Sequence, residues 1–169
     1  GVEYNRFLSR VEWHMITSPT DATDIATTIA FSENGVNTNS YTFLETAPLE
    51  EQWQSALTGT MQEDVGYITL DNGYKTIKFT GNLFSSQEKA ITGTYTDRGV
   101  PADDGWNFIG NKNTCAINLD LVTGTNISKT FYIWDYDRYL TFNRSSLPDG
   151  SSYLTSNNFD GMVAATQGF

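Results

Sequence analysis

Gly105-Trp106-Asn107-Phe108-Ile109-Gly110-Asn111-Lys112 repeats the order of residue types in Glu12-Trp13-His14-Met15-Ile16-Thr17-Ser18-Pro19: tryptophan, a polar residue, a large apolar residue, isoleucine, then small or turn-forming residues. Working outward, each copy runs through a polar stretch to an aromatic strand, Tyr41-Thr42-Phe43 in the first and Tyr132-Ile133-Trp134 in the second. Each closes on glycine and an aromatic residue, Gly66-Tyr67 and Gly168-Phe169. Self-similarity of this kind marks a duplicated structural unit. The division reads as a first β unit over 1–97 and a second over 98–169, with the Asp-, Gly- and Pro-rich stretch 97–105 as the seam. Trp13 and Trp106 read as matched anchors of two cores.

Composition agrees with a β protein. Charged residues make up 18% of the 169, while Thr, Ser, Asn, Gly and aromatics abound. β-Branched and aromatic side chains fit a pleated, half-buried surface, and Asn, Asp and Gly serve its turns. The formal charge of −10 repels a phosphate backbone and an anionic bilayer alike, which argues against nucleic acid as a partner. No run approaches the roughly 18 apolar residues of a membrane span, so no membrane insertion is expected. With Cys115 the only cysteine, the chain forms no internal disulfide. From Gly1 the chain reads as a mature product or an excised fragment, and the strand-like ending suggests that more followed.

Along the chain, the two-residue period predicts strands over 10–17, 40–45, 65–70, 75–80, 90–96, 116–122, 130–134, 139–143 and 162–165. Asp71-Asn72-Gly73-Tyr74 predicts a hairpin between its flanking strands, because Asn-Gly readily supplies positive φ. Residues 24–31 read as a short helix or a loop. The best helical pattern is 48–57, with Pro48 near its start, acids in the first turn, and Leu49, Trp53 and Leu57 four apart. The expected fold is all-β: an antiparallel, jelly-roll-like β-sandwich of two related units with at most one short helix.

The chemistry-bearing patterns are few. Paired carboxylates for glycoside hydrolysis must stand about 5–10 Å apart across a cleft, whereas Glu50-Glu51 and Glu63-Asp64 are adjacent in sequence and read as solvated. Cys115 reads as a small buried hydrophobe or a chance surface thiol in preference to a nucleophile paired with His14, the only histidine. The expectation is no enzyme and no required cofactor. The Asp135-Tyr136-Asp137 turn offers oxygen ligands of the kind calcium takes, so Asp135 and Asp137 are the metal candidates. Successive strand residues face opposite sides, so not all of Trp53, Trp134, Tyr136 and Tyr139 point inward; these four are the candidate ligand-binding residues.

Trp106-Asn107-Phe108-Ile109-Gly110-Asn111, Tyr132-Ile133-Trp134-Asp135 and Gln167-Gly168-Phe169 together resemble a pattern in large secreted proteins of the Bacteroidota, where it precedes the C-terminal sorting domain read by the type IX secretion system. Trp13-His14-Met15-Ile16-Thr17-Ser18-Pro19 with Gly66-Tyr67 resembles the partner segment that usually comes first. Members of that family usually carry Pro after the Gly-Asn of the second motif, where this chain has Lys112 after Gly110-Asn111. The resemblance implies an extracellular or cell-surface module of a longer precursor with further domains. Such a module is structural or adhesive, with surface proteins, matrix proteins or glycans as partners. Its alternative role is a carbohydrate-binding accessory to a secreted polysaccharide-degrading enzyme. The resemblance supplies no catalytic residue.

Overall fold

The structure, a computed structural model, describes residues 1–8, 11–30, 32–33, 36–37, 39–70, 74–85, 90–128, 130–135, 137–143, 154–155 and 159–169. Its strands in chain order are β1 (Val2–Leu8), β2 (Trp13–Ile16), β3 (Ser32–Glu33), β4 (Val36–Asn37), β5 (Ser40–Phe43), β6 (Trp53–Ser55) and β7 (Tyr67–Leu70), then β8 (Lys75–Gly81), β9 (Ile117–Asn118), β10 (Thr130–Asp135), β11 (Arg138–Asn143), β12 (Leu154–Thr155) and β13 (Met162–Val163). One helical turn, α1 (Ile25–Thr28), follows β2; Asp24 caps it by accepting from Thr27 N at 2.9 Å. All strand pairing is antiparallel, in small sheets ordered β2-β7-β5-β6, β10-β11-β12, β1-β8, β9-β13 and β3-β4. The described strands do not close into a single sandwich.

The hairpin expected at Asp71-Asn72-Gly73 does not join its flanking strands. β7 pairs with β2 and β5, while β8 pairs with β1. The turn residues 71–73 lie outside the described residues. Leu8 faces Lys75 and, beyond a break of four residues on each side, Trp13 faces Leu70 in unshifted register. The pairs β1-β8 and β2-β7 therefore share one antiparallel register. The alternation of β1 turns Tyr4, Arg6 and Leu8 one way, onto the core side with Ile77 and Phe79 of β8.

Four other expectations change. The strand over 10–17 shortens to β2, and Val11 is exposed. Residues 48–57 make a 3-10 turn (Leu49–Glu51) and then β6, because Leu49 and Trp53 find no apolar layer to bury against as one helical face. Residues 90–96 form no strand. After β9 the chain tightens into a 3-10 turn (Leu119–Leu121), which buries Leu119 but swings Leu121 into solvent. Of residues 144–160, β12 and residues 159–160 alone are among those described.

Among the described residues two buried clusters form the core. The first gathers Leu8, Ile16, Ile29, Met61, Ile77 and Phe79 with their neighbours; the second gathers Leu119, Ile133, Phe142 and Val163, with Phe131 and Phe169 packed on it. Neither tryptophan of the repeated motif belongs to them, so the anchoring role expected of Trp13 and Trp106 is not the one they have. Each instead lies on the matching tyrosine: Trp13 on Tyr41 at 6.1 Å and 50°, Trp106 on Tyr132 at 5.1 Å and 57°.

The two motifs meet each other through matching contacts. Ile16 pairs with Tyr67 and bridges to Gln167; Ile109 exchanges both backbone bonds with Phe169 and bridges to Val65. Thr17 N donates to Thr166 O at 2.9 Å, and Gly110 N donates to Asp64 O at 3.2 Å. Asp64 and Thr166 are both left-handed, at φ 62° and 60°. Ser18 Oγ accepts from Thr20 N, and Asn111 Oδ1 accepts from Asn113 N. Phe108 lies against both closing glycines: a Cβ at Gly66 or at Gly168 would come within 2.7 Å of its ring. That close approach, rather than a positive φ, is why both closures carry glycine.

Two polar devices fix the irregular segments. Ser18, Thr20 and Thr23, all fully buried, bond one another, with Thr20 to Thr23 at 2.7 Å, and tie the chain after β2 to the Thr80 main chain, whose N–H donates to Thr23 Oγ1 at 3.1 Å. Thr23→Val keeps the shape but orphans several of these partners, and is expected to cost about 2 kcal/mol in urea unfolding, with m unchanged. The second device holds 94–105 against the β5-β6 end. Glu45, 3% exposed, accepts from Thr96 N at 2.7 Å, Thr96 Oγ1 at 2.9 Å and Arg98 Nη1 at 3.0 Å. Arg98 also donates to the carbonyls of Glu45, Thr96 and Ala47.

Candidate functional site

Strand alternation builds an aromatic strip on one face of the β10-β11 hairpin. Ile133 and Phe131 turn to the second core, so by the alternation of a strand Tyr132 and Trp134 take the opposite face. The register sets Tyr139 opposite Trp134. Their rings meet edge to face, 5.0 Å apart at 73°; Tyr132 meets Tyr139 at 6.3 Å and 89°, and Trp106 covers Tyr132. Trp134 and Tyr139 thus come together as site candidates, joined by Trp106 and Tyr132, which were not nominated. Tyr136 lies outside the described residues.

Edge-to-face rings stabilise one another but present no common plane to a flat ligand. Trp134 Nε1 is buried and has no hydrogen-bond partner among the described residues, so its polar edge is turned away from any ligand. Tyr139 is half exposed, and partial burial pushes its hydroxyl pKa up. The strip is better suited to packing than to chemistry.

Trp53 lies elsewhere. On β6 it packs edge-on to its cross-strand partner Phe43 at 5.2 Å and to Phe108 at 5.8 Å. Phe43 and Phe108, with Ile91, Glu63 and Asp64, also line an open hollow of about 320 Å³. Glu63 and Asp64 are not free in water as expected: Lys112 Nζ, itself buried, lies 2.6 Å from Glu63 Oε1 and 3.4 Å from Asp64 Oδ1. Lys112 stands where the resembled family has proline, and its ammonium bonds the acids of the first closing turn. The two carboxylates converge on one cation instead of facing each other across a cleft.

At the hairpin tip, Asp135 Oδ2 is 3.9 Å from Arg138 Nη2, and Asp137 N donates to Asp135 O. Among the described residues no group of three or more His, Cys, Asp or Glu side chains is gathered for a metal. Cys115 is exposed, and His14 Nδ1 lies 4.0 Å from Glu12 Oε1.

Sequence reasoning missed a further pair, Phe7 and Tyr74. Their rings are parallel within 13°, 6.3 Å apart and both largely exposed. The available signal was an aromatic at an outward position of β1, between the inward Arg6 and Leu8. It also missed Glu45 and Arg98, since neither belongs to a recognisable motif.

No protein-family model, curated protein or solved structure matches the chain.

Proposed function

We propose that this chain is a non-catalytic extracellular module, structural or adhesive, of a large secreted or cell-surface protein of the Bacteroidota that leaves the cell by type IX secretion. In this reading it belongs to a longer precursor with further domains, and its partners are surface or matrix proteins. Its architecture is a jelly-roll-like sandwich of two related β units, 1–97 and 98–169. The observation that carries the reading is the matched junction. Both copies of the motif, both closing glycines and the left-handed Asp64 and Thr166 are spent on holding the two halves together. The buried charges serve the same end, Arg98 for Glu45 and Lys112 for Glu63 and Asp64.

The test is retention and turnover. Beads carrying the purified chain should adhere to extracellular matrix from Bacteroidota cultures, and incubation with a polysaccharide panel should release no reducing sugar. Beads that wash off freely, or sugar release that tracks the protein through purification, would sink the proposal.

One observation favours glycan binding as a second reading. Phe7 and Tyr74 are parallel and exposed, the arrangement that stacks on the apolar face of a sugar ring. If the structural reading holds, a glycan array stays blank. Signal that vanishes in Tyr74→Ala or Tyr139→Ala while Tm is unchanged would instead establish the glycan reading and locate its platform.

A further inference from the structure

A lysine beside two carboxylates is ordinarily a solvated surface pair. Lys112 is instead 8% exposed, and its Nζ stands 2.6 Å from Glu63 Oε1 and 3.4 Å from Asp64 Oδ1. The Asp64 side chain is 12% exposed and that of Glu63 28%. Phe43, Val65, Phe108 and Ile109 line the hollow beside the acids. Withdrawing an ammonium and a carboxylate from water is costly, and a neutral product formed from the two escapes that cost.

The main chain holds both partners in place. Asp64 is left-handed at φ 62°, its carbonyl accepts from Gly110 N at 3.2 Å, and Val65 next to it bridges to Ile109. On the other side Asn111, 1% exposed, donates from its main chain to Gln167 O and from its side chain to the carbonyls of Cys115, Val163 and Ala164. Lys112 and Asp64 are thus presented to each other by backbone that is already fixed. Reacting atoms held about 3–3.5 Å apart react as though at very high concentration. Nζ stands at that distance from Oδ1, the atom bonded to the carbon it would attack.

We propose that Lys112 and Asp64 join in an intramolecular isopeptide bond, with Glu63 as the proton carrier. Asp64 is the acyl partner because its side chain is the better shielded from water; Glu63, nearer to Nζ and more open, is placed to move protons. Glu63 takes one proton from the ammonium across the 2.6 Å contact and hands it to Asp64, so that a neutral amine faces a neutral carboxyl. Nζ then attacks Cγ, forming the N–C bond as the carbonyl electron pair moves onto oxygen. Glu63 takes a second proton from the nitrogen and delivers it to the hydroxyl; the C–O bond breaks, the carbonyl re-forms and water leaves. One ammonium and one carboxylate become one amide and one water, nothing is oxidised or reduced, and Glu63 ends as it began. The bond would tie the first half to the second in a chain whose single cysteine allows no internal disulfide.

The test is the intact mass of the denatured full chain. Loss of one water on acylating the lysine makes the parent about 18 Da lighter than its sequence. An acylated Lys112 is no trypsin site, so digestion should yield 11–75 joined to 99–129 as one branched peptide, with fragment ions placing the link at Asp64. Lys112→Arg keeps the charge without the amine, and Glu63→Gln keeps both joined residues without the proton acceptor; each should show its full sequence mass. A parent at full mass overturns the site, as does a deficit that survives Lys112→Arg or maps to Glu63. A Glu63→Gln chain that loses water as completely as the parent overturns the proton route. Matrix adhesion is read separately, so the bond and the module reading stand or fall independently.

Discussion

Gly110→Ala should destabilise the protein by about 3 kcal/mol, the upper part of the range for forcing an added carbon into a packed interior. At this chain length that is a fall in Tm of roughly 6–12 °C. The site is the centre of the junction: an alanine Cβ there would sit 2.2 Å from Thr17 Cβ and 2.5 Å from its hydroxyl oxygen. Thr17 cannot swing away, since it is fully buried and its Oγ1 donates to Val65 O at 2.8 Å. Gly110 has no positive φ, so the cost is contact and not backbone strain. That distinction gives the check. Thr17 and Gly110 hold the same place in the two motifs, and Thr17→Gly opens the space that Ala would need. The double variant should recover at least about 1 kcal/mol relative to the sum of the single effects, a coupling expected of residues in contact. Strict additivity would show that the two motifs do not pack as described.

Arg98→Met should be the most damaging single change, costing about 3–5 kcal/mol, because it leaves a buried carboxylate without its cation. A variant melting within 2 °C of the parent at neutral pH would refute the role assigned to the pair. The pH dependence carries a second signature. Burial on its own would raise the Glu45 pKa, but hydrogen bonds from Arg98, Thr96 and the Gly105 main chain outweigh it and hold the group down at about 2, against an ordinary 4.5. A carboxyl with a lowered folded-state pKa adds stability above its unfolded pKa. That contribution fades as pH falls from about 4.5 through 2. The parent should therefore lose stability across that window. The gap between parent and Arg98→Met should narrow over the same range, since a protonated Glu45 no longer needs a cation.

Local pattern carried much of the fold. The alternation in Phe131-Tyr132-Ile133-Trp134 set Tyr132 with Trp134 on one face and Phe131 with Ile133 on the other, and the fold decided that the second pair is the one turned to the core. The β-rich, antiparallel character followed from composition and period, but the one short helix among the described residues lies at Ile25–Thr28 and not over 48–57. Asn72-Gly73 misled because turn chemistry reports only what four residues favour; β7 is claimed by β2 and β5, and β8 by β1. The spacing of Leu49, Trp53 and Leu57 misled for the complementary reason. A helical stripe is stable only against an apolar layer, and Trp53 found Phe43 across a strand pair and Phe108 from the other half instead.

The repeated tryptophan motif marks the same division. Its residues fixed, from order and type alone, which positions would correspond: Ile16 with Ile109, Thr17 with Gly110, Ser18 with Asn111. That these positions would cross-pair, that Phe108 would lie against two glycines a hundred residues apart, and that Lys112 and Arg98 would be buried beside acids became visible once the chain was folded. The physical reason is range. Period, turn residues and capping act over a few neighbours, whereas strand partners and buried ion pairs are settled by which distant surfaces exclude water together.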